Sequence, residues 1–153
     1  MPIFLVALIV AFLEITAVPY ARINAATFDL QIIMLVFFSL KKGIRVGTML
    51  GILFGILSGV FSTGSLLLNI ILYSLTGFTV GYIGQWFYKE RLATFILMVF
   101  CSMVVIYFSQ YLYIVTHFQI HVSALDYAGR LFLPPALYTA FMSIFLFYFF
   151  REL

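Results

Sequence analysis

Charge is what this sequence has least of. Only 8% of its 153 residues are Asp, Glu, Lys or Arg, and a water-facing surface of that length cannot be built from so few. Cysteine is down to Cys101 alone, so no internal disulfide can form. There is no soluble-domain stretch, which excludes an ATPase, a kinase or a large extracellular receptor. No phosphate-binding loop is present, because the glycines lie inside apolar runs rather than between a strand and a helix. No Ser/His/Asp arrangement has workable spacing. The first residues carry no basic cluster and no small-residue cleavage site, so the first apolar segment is expected to be retained.

Apolar residues fill the space left by charge. They make up 65% of the chain, and the mean hydropathy is +1.20. No soluble fold of this size buries that much, so the expected class is an all-α polytopic membrane protein in a single integral domain. Its breaks in hydropathy predict six transmembrane helices, over about 3–18, 25–40, 44–61, 65–88, 92–116 and 130–150. Pro19 closes the first, Asn24 or Thr27 caps the second, and Asp29 falls in the second's first turn. Ser62, Thr63 and Gly64 make a polar turn, with Ser65 as a cap for the fourth. Pro134 and Pro135 sit at the start of the last span, where the second proline must bend that end. Tyr20, Trp86, Tyr88, Tyr111 and Tyr113 fall near span ends, as an interfacial aromatic belt requires.

The sign of the few charges orients the chain. With the N-terminus inside, Lys41, Lys42, Arg45, Lys89, Arg91 and Arg151 lie on the cytoplasmic side, and Arg22 and Arg130 lie outside. That asymmetry follows the positive-inside rule and places both termini in the cytoplasm. It also accounts for the basic balance without nucleic acid.

The strongest local pattern is a glycine ladder. Gly43, Gly47, Gly51, Gly55 and Gly59 recur at every fourth position, and Gly77 and Gly81 repeat the spacing, with Gly84 just beyond. An interior glycine costs a helix in water about 1 kcal/mol relative to alanine. In lipid the helix has no alternative, and a bare face lets another backbone come close. These two segments are expected to form the tightly packed centre of the bundle. Two uses stay open: packing within the chain, or a groove for a partner's helix. Ala7 and Ala11 show the same spacing in the first span.

Polar residues at depth are the other candidates. A carboxylate inside the bilayer costs about 2.5 to 3.5 kcal/mol on insertion scales. Glu14 must therefore face protein or a polar cavity, be protonated, or lie near the interface; a buried hydrogen bond or an ion pair with Arg22 or Arg130 is the first expectation, a ligand or proton site the second. Glu14, Asp29 and Arg130 form the expected buried polar set. Asn69 reads as interhelical glue. His117 and His121 lie four apart, but only Asp126 accompanies them, so they read as solvent-facing histidines rather than a metal site. No catalytic residue, cofactor or metal is expected.

The order of these features resembles a known family. Phe28-Asp29-Leu30, a basic turn, Gly47-x-x-x-Gly51-x-x-x-Gly55, then Gly77 and Gly81, then Arg130 followed by Leu133-Pro134-Pro135-Ala136-Leu137-Tyr138 are similar to the rod shape-determining MreD family. The likeness runs from Thr27 to Phe150. The family usually has proline where Phe28 stands and an acidic residue where Gly59 stands. The resemblance implies a fold similar to the substrate-binding subunits of energy-coupling-factor transporters. It implies a non-enzymatic scaffold of the cell-elongation machinery in the bacterial inner membrane. Its expected partners are MreC directly, and RodA, its partner transpeptidase and MreB indirectly, besides membrane lipid. The competing expectation is a vitamin-binding transporter subunit, whose pocket would draw on Glu14, Asn69, Gln110, His117, Asp126 and Arg130.

Overall fold

A computed structural model describes residues 2–16, 29–61, 65–87, 91–119, 121 and 123–152. Pro19, Tyr20, Arg22, Asn24, Thr27, Phe28, Ser62 to Gly64, Tyr88, Lys89 and Glu90 lie outside the described residues. The elements are α1 (Pro2–Thr16), α2 (Leu30–Lys42), α3 (Ile44–Phe61), α4 (Leu66–Ile83), α5 (Leu92–Phe118), a one-turn α6 (Ala124–Asp126), a π-helical segment (Tyr127–Phe132) and α7 (Leu133–Arg151). No strand occurs among the described residues.

Four stretches are long and apolar enough to cross a membrane: Ile44–Phe61, Leu66–Ile83, Leu92–Phe118 and Ala124–Phe149. Ile3–Glu14 is a shorter apolar helix. Large apolar side chains such as Leu5, Phe12, Leu67 and Phe145 point out of the bundle and are exposed. An aqueous surface would not tolerate that many together.

The second element departs most from expectation. α2 has 13 residues and begins at Leu30 rather than near Ala25. At 1.5 Å per residue it is about 20 Å long, short of a hydrocarbon core of about 30 Å. It is also the true centre. Every residue from Gln31 to Leu40 is buried, and α1, α3, α4, α5 and α7 all pack on it. The glycine-bearing helices α3 and α4 instead flank it, each keeping an outward face with residues such as Met49, Val60 and Leu75 exposed. A helix surrounded on all sides reads as an unbroken apolar run, and the run from Ile32 to Phe38 is one.

Contacts fix which ends lie together. Phe37 of α2, Phe95 of α5 and Phe147 of α7 pack edge-on at one end, with centroids 5.9 Å (Phe37–Phe95) and 6.2 Å (Phe37–Phe147) apart. Lys41 lies 5.5 Å over the Phe37 ring. Lys41 and Lys42 occupy the last turn of α2, where a cation meets the negative end of the helix dipole. Gly43 then reverses the chain with φ +87°, a conformation open to glycine and strained for other residues. Its N–H bonds the Ser39 carbonyl at 3.0 Å. This end gathers Lys41, Lys42, Arg45, Arg91 and Arg151; the opposite end holds Glu14, Asp29 and the start of α7.

The last span also begins differently. The expected start at Arg130 lies within a helix that already runs from Ala124 and widens to π geometry over Tyr127–Phe132. Pro134 and Pro135 lack the N–H groups that the Arg130 and Leu131 carbonyls would take in an α-helix, and their rings crowd those carbonyls. Widening answers this: the Leu133 N–H reaches back to the Ala128 carbonyl, five residues earlier. α4 ends at Ile83, well before position 88, and α5 continues two residues past 116.

Candidate functional site

Two arrangements concentrate the residues singled out above. The first is the α3–α4 hairpin, the most extensive helix contact in the molecule. The two helices run antiparallel with a bare face turned inward. A Cβ placed on Gly47 would fall 2.5 Å from the Gly77 carbonyl oxygen and 2.5 Å from Ser39 Oγ. One on Gly51 would meet the Tyr73 carbonyl and lie 2.7 Å from Ser74 Cα. One on Gly55 would lie 2.5 Å from Ile70 Cα, and one on Gly59 would lie 2.9 Å from Leu66 Cα. From the facing side, Gly77 meets the Gly47 carbonyl, and a Cβ on Gly81 would lie 2.8 Å from Ile44 Cα. All six glycines therefore face backbone or a first side chain of this same chain. The groove is filled from within, so a partner's helix has no access to that face.

The second arrangement caps α2. A helix end leaves its first N–H groups without partners, and in an apolar surrounding each must find one. Asp29 is the N-cap itself, not a first-turn residue. Its Oδ1 accepts from the Ile32 N–H at 3.0 Å. Glu14, at the end of α1, accepts from the Gln31 N–H through Oε2 at 2.9 Å. The Asp29 N–H donates to Thr139 Oγ1 of α7 at 3.0 Å. Tyr73 of α4 donates its hydroxyl to Asp29 Oδ2 at 3.4 Å and also meets Ser58 of α3. The two carboxyl groups lie beside each other at this turn. Five helices thus meet at one turn, and the positive end of the α2 dipole stabilises the acidic groups there.

Sequence reasoning found Glu14 and Asp29 but missed Gln31, Ser58, Tyr73 and Thr139. One signal was available: Gln31 breaks an apolar run two residues after Asp29, at the helix start where free N–H groups collect. Arg130 is not part of this site. It is exposed on the π-helical segment, where a guanidinium keeps water or headgroups as partners, and the expected buried role does not hold for it. Arg22 lies outside the described residues.

The remaining polar candidates do not converge. Gln110 Nε2 donates to Asn69 Oδ1 at 3.3 Å, joining α5 to α4. His117 stacks on Tyr113 at 4.3 Å, and Ser123 donates to Asp126 Oδ2 at 2.7 Å. Among the described residues no group of three His, Cys, Asp or Glu comes together. A cavity of about 220 Å³ does open between α5 and the π-helical segment, lined by Tyr107, Phe108, Tyr111, Tyr127 and Phe132. None of the six residues expected for a vitamin pocket lines it.

The arrangement thus holds helices together. The family model for rod shape-determining protein MreD matches residues 1–153. No curated protein and no solved structure matches. The match covers the whole chain, and the chain belongs to the MreD family.

Proposed function

We propose that this protein is a non-enzymatic membrane scaffold of the bacterial cell-elongation machinery. It crosses the inner membrane six times with both termini in the cytoplasm. It binds MreC directly and, through MreC, helps organise RodA, its partner transpeptidase and MreB around peptidoglycan synthesis. Its fold is similar to that of the substrate-binding subunits of energy-coupling-factor transporters. Membership of a rod shape-determining family carries this reading. The use of the buried polar groups supports it: Glu14, Asp29, Tyr73 and Thr139 are engaged in capping α2.

The inward placement of basic residues supports the orientation, since Lys41, Lys42, Arg45, Arg91 and Arg151 share one end. For six crossings, α2 needs its short length supplemented by the protein around it, which satisfies both of its ends. The test is capture from membranes solubilised in mild detergent: tagged wild-type chain is expected to recover MreC. Absence of MreC from the eluate, with the tagged chain folded and monodisperse, overturns the reading.

A further inference from the structure

The end of the bundle opposite the acidic cap has a geometry that its positive sign alone does not require. Three buried rings from three helices pack there as one cluster: Phe37 of α2, Phe95 of α5 and Phe147 of α7. Their centroids lie 5.9 Å (Phe37–Phe95), 6.2 Å (Phe37–Phe147) and 5.2 Å (Phe95–Phe147) apart. One turn beyond each ring, towards the end of the bundle, stands an exposed cation: Lys41 after Phe37, Arg151 after Phe147 and Arg91 before Phe95. Residues four apart share a helix face, so the three rings that converge carry their three cations to one place. The spacing is visible in two contacts. Lys41 Nζ leans back over the Phe37 ring at 5.5 Å, and the Phe95 N–H reaches the Arg91 carbonyl at 3.2 Å, one turn back. Arg151 stands to Phe147 as Lys41 stands to Phe37, each in the last turn of its helix. Among the described residues neither Lys41 nor Arg151 is paired with an acid. Glu152, beside Arg151, is exposed, and Glu90, beside Arg91, lies outside the described residues. Like charges gathered from three helices repel unless an anion sits among them.

We propose that Lys41, Arg91 and Arg151 form a seat for the phosphate of an anionic phospholipid in the leaflet at this end. Two guanidiniums and an ammonium supply donors from three helices, and charge-assisted bonds to phosphate oxygens are the strong kind. The occupant is a lipid rather than a soluble phosphate because the seat tops two helices long and apolar enough to cross a membrane, α5 and α7. Just inside it on α7, Phe145 and Tyr148 are exposed and offer acyl chains an apolar wall. A phospholipid meets both surfaces; a soluble anion meets only the cations. Lys42 and Arg45 are exposed at the same end but stand one turn beyond none of the three rings, so they add to the surface potential without belonging to the seat. The inference rests on the scaffold reading only in making this the cytoplasmic leaflet.

Trp86, the only tryptophan, is the reporter. It is exposed, and Gly84 packing against Leu40 places it at the same end. The full-length protein is reconstituted in phosphatidylcholine vesicles that hold a trace of pyrene-labelled phosphatidylglycerol or pyrene-labelled phosphatidylcholine in both leaflets. Energy transfer from Trp86 reads the enrichment of each label. Labelled phosphatidylglycerol is expected to be favoured about fivefold. Lys41→Gln/Arg151→Gln is expected to bring that preference close to parity. Lys42→Gln/Arg45→Gln, which removes the same charge from the same end, is expected to keep most of it, as is Lys41→Arg/Arg151→Lys, which keeps both charges. No preference in wild type overturns the seat. So do equal losses in the two neutralised variants, which would make the effect one of surface potential alone. A preference abolished by inorganic phosphate at constant ionic strength gives the seat to a soluble anion and overturns the lipid. A preference that emerges only in Glu90→Gln/Glu152→Gln overturns it too, since the cations would then be paired within the chain. Labels in both leaflets make the result independent of orientation. Capture of MreC stays the separate test of the scaffold: loss of MreC with the preference intact strikes that reading alone, and recovery of MreC without the preference strikes the seat alone.

Discussion

Replacing Gly51 with alanine should open the α3–α4 hairpin. The new methyl would meet the Tyr73 carbonyl and lie 2.7 Å from Ser74 Cα, whereas ordinary contact begins at 3.4 Å. Both obstacles are backbone, so no side chain can swing aside, and α4 must move back by at least about 0.7 Å at that level, the shortfall at Ser74 Cα alone, with the Tyr73 carbonyl nearer still. The displacement cannot stay local. Gly47 and Gly55, one turn away on either side, touch the same helix with equally little room. Overpacking of this kind costs about 1 to 3 kcal/mol. Alanine's better helix propensity returns at most about 1 kcal/mol. A net loss of about 1 to 2 kcal/mol is expected, read as a shift in reversible unfolding in detergent micelles. Gly129→Ala is the control, because nothing lies within 4 Å of a Cβ there; it should be neutral or slightly stabilising. A Gly51→Ala protein as stable as wild type would refute the close backbone packing on which the account of this hairpin depends.

Removing the cap of the central helix is the next test: Asp29→Ala strips the Ile32 N–H of its acceptor and the Tyr73 hydroxyl of its partner, and should cost about 1 to 2 kcal/mol in the same unfolding assay. Asp29→Asn keeps an acceptor oxygen and should lose less than half as much. Gly43→Ala has space for its methyl but not the backbone angle, so it should destabilise by about 1 to 2 kcal/mol. A double-mutant cycle of Asn69→Leu and Gln110→Leu should return a coupling of about 0.6 kcal/mol, the usual value for one interhelical hydrogen bond in lipid; zero coupling would show that the 3.3 Å contact carries no energy.

The helical class, the turn at Lys42 and the third helix were legible because each has a local cause. Glycine spacing of four marks a bare helix face wherever the helix sits, and clustered lysines mark a chain reversal outside the apolar layer. The rank of the helices was not legible. A run such as Ile32 to Phe38 has the same composition whether lipid or protein surrounds it, so periodicity cannot tell a central helix from a peripheral one. For the same reason the glycine ladder looked like the centre, when it is a strong pairwise contact beside the centre. The wide turn before α7 was half legible. Pro134 and Pro135 announced a disturbance, but a kink, a break and a π turn all relieve the same two missing N–H groups. Arg130 was misplaced because an isolated arginine in an apolar stretch invites pairing with the nearest acid, and those acids are already engaged by the α2 N–H groups.

The location of α2 bears on where a scaffold can hold a partner. A ladder spent on its own hairpin leaves a neighbour only the lipid-facing sides, where Leu8, Phe12, Phe108, Phe141 and Phe145 stand exposed. Such residues pack as readily against acyl chains as against another helix, so they give a partner little preference over lipid. Preference needs a feature that lipid tails cannot satisfy. The polar groups that lipid tails cannot satisfy are instead turned onto the first turn of α2, where α1 ends. The bonds that keep a short helix stable at the centre therefore also hold α1 to the core. Loosening that junction by Glu14→Leu, which removes the acceptor for the Gln31 N–H, should cost about 1 to 2 kcal/mol in the unfolding assay; Glu14→Gln, which keeps an acceptor oxygen, should lose less than half as much. Two variants as stable as wild type would mean that this bond does not hold α1 to the core.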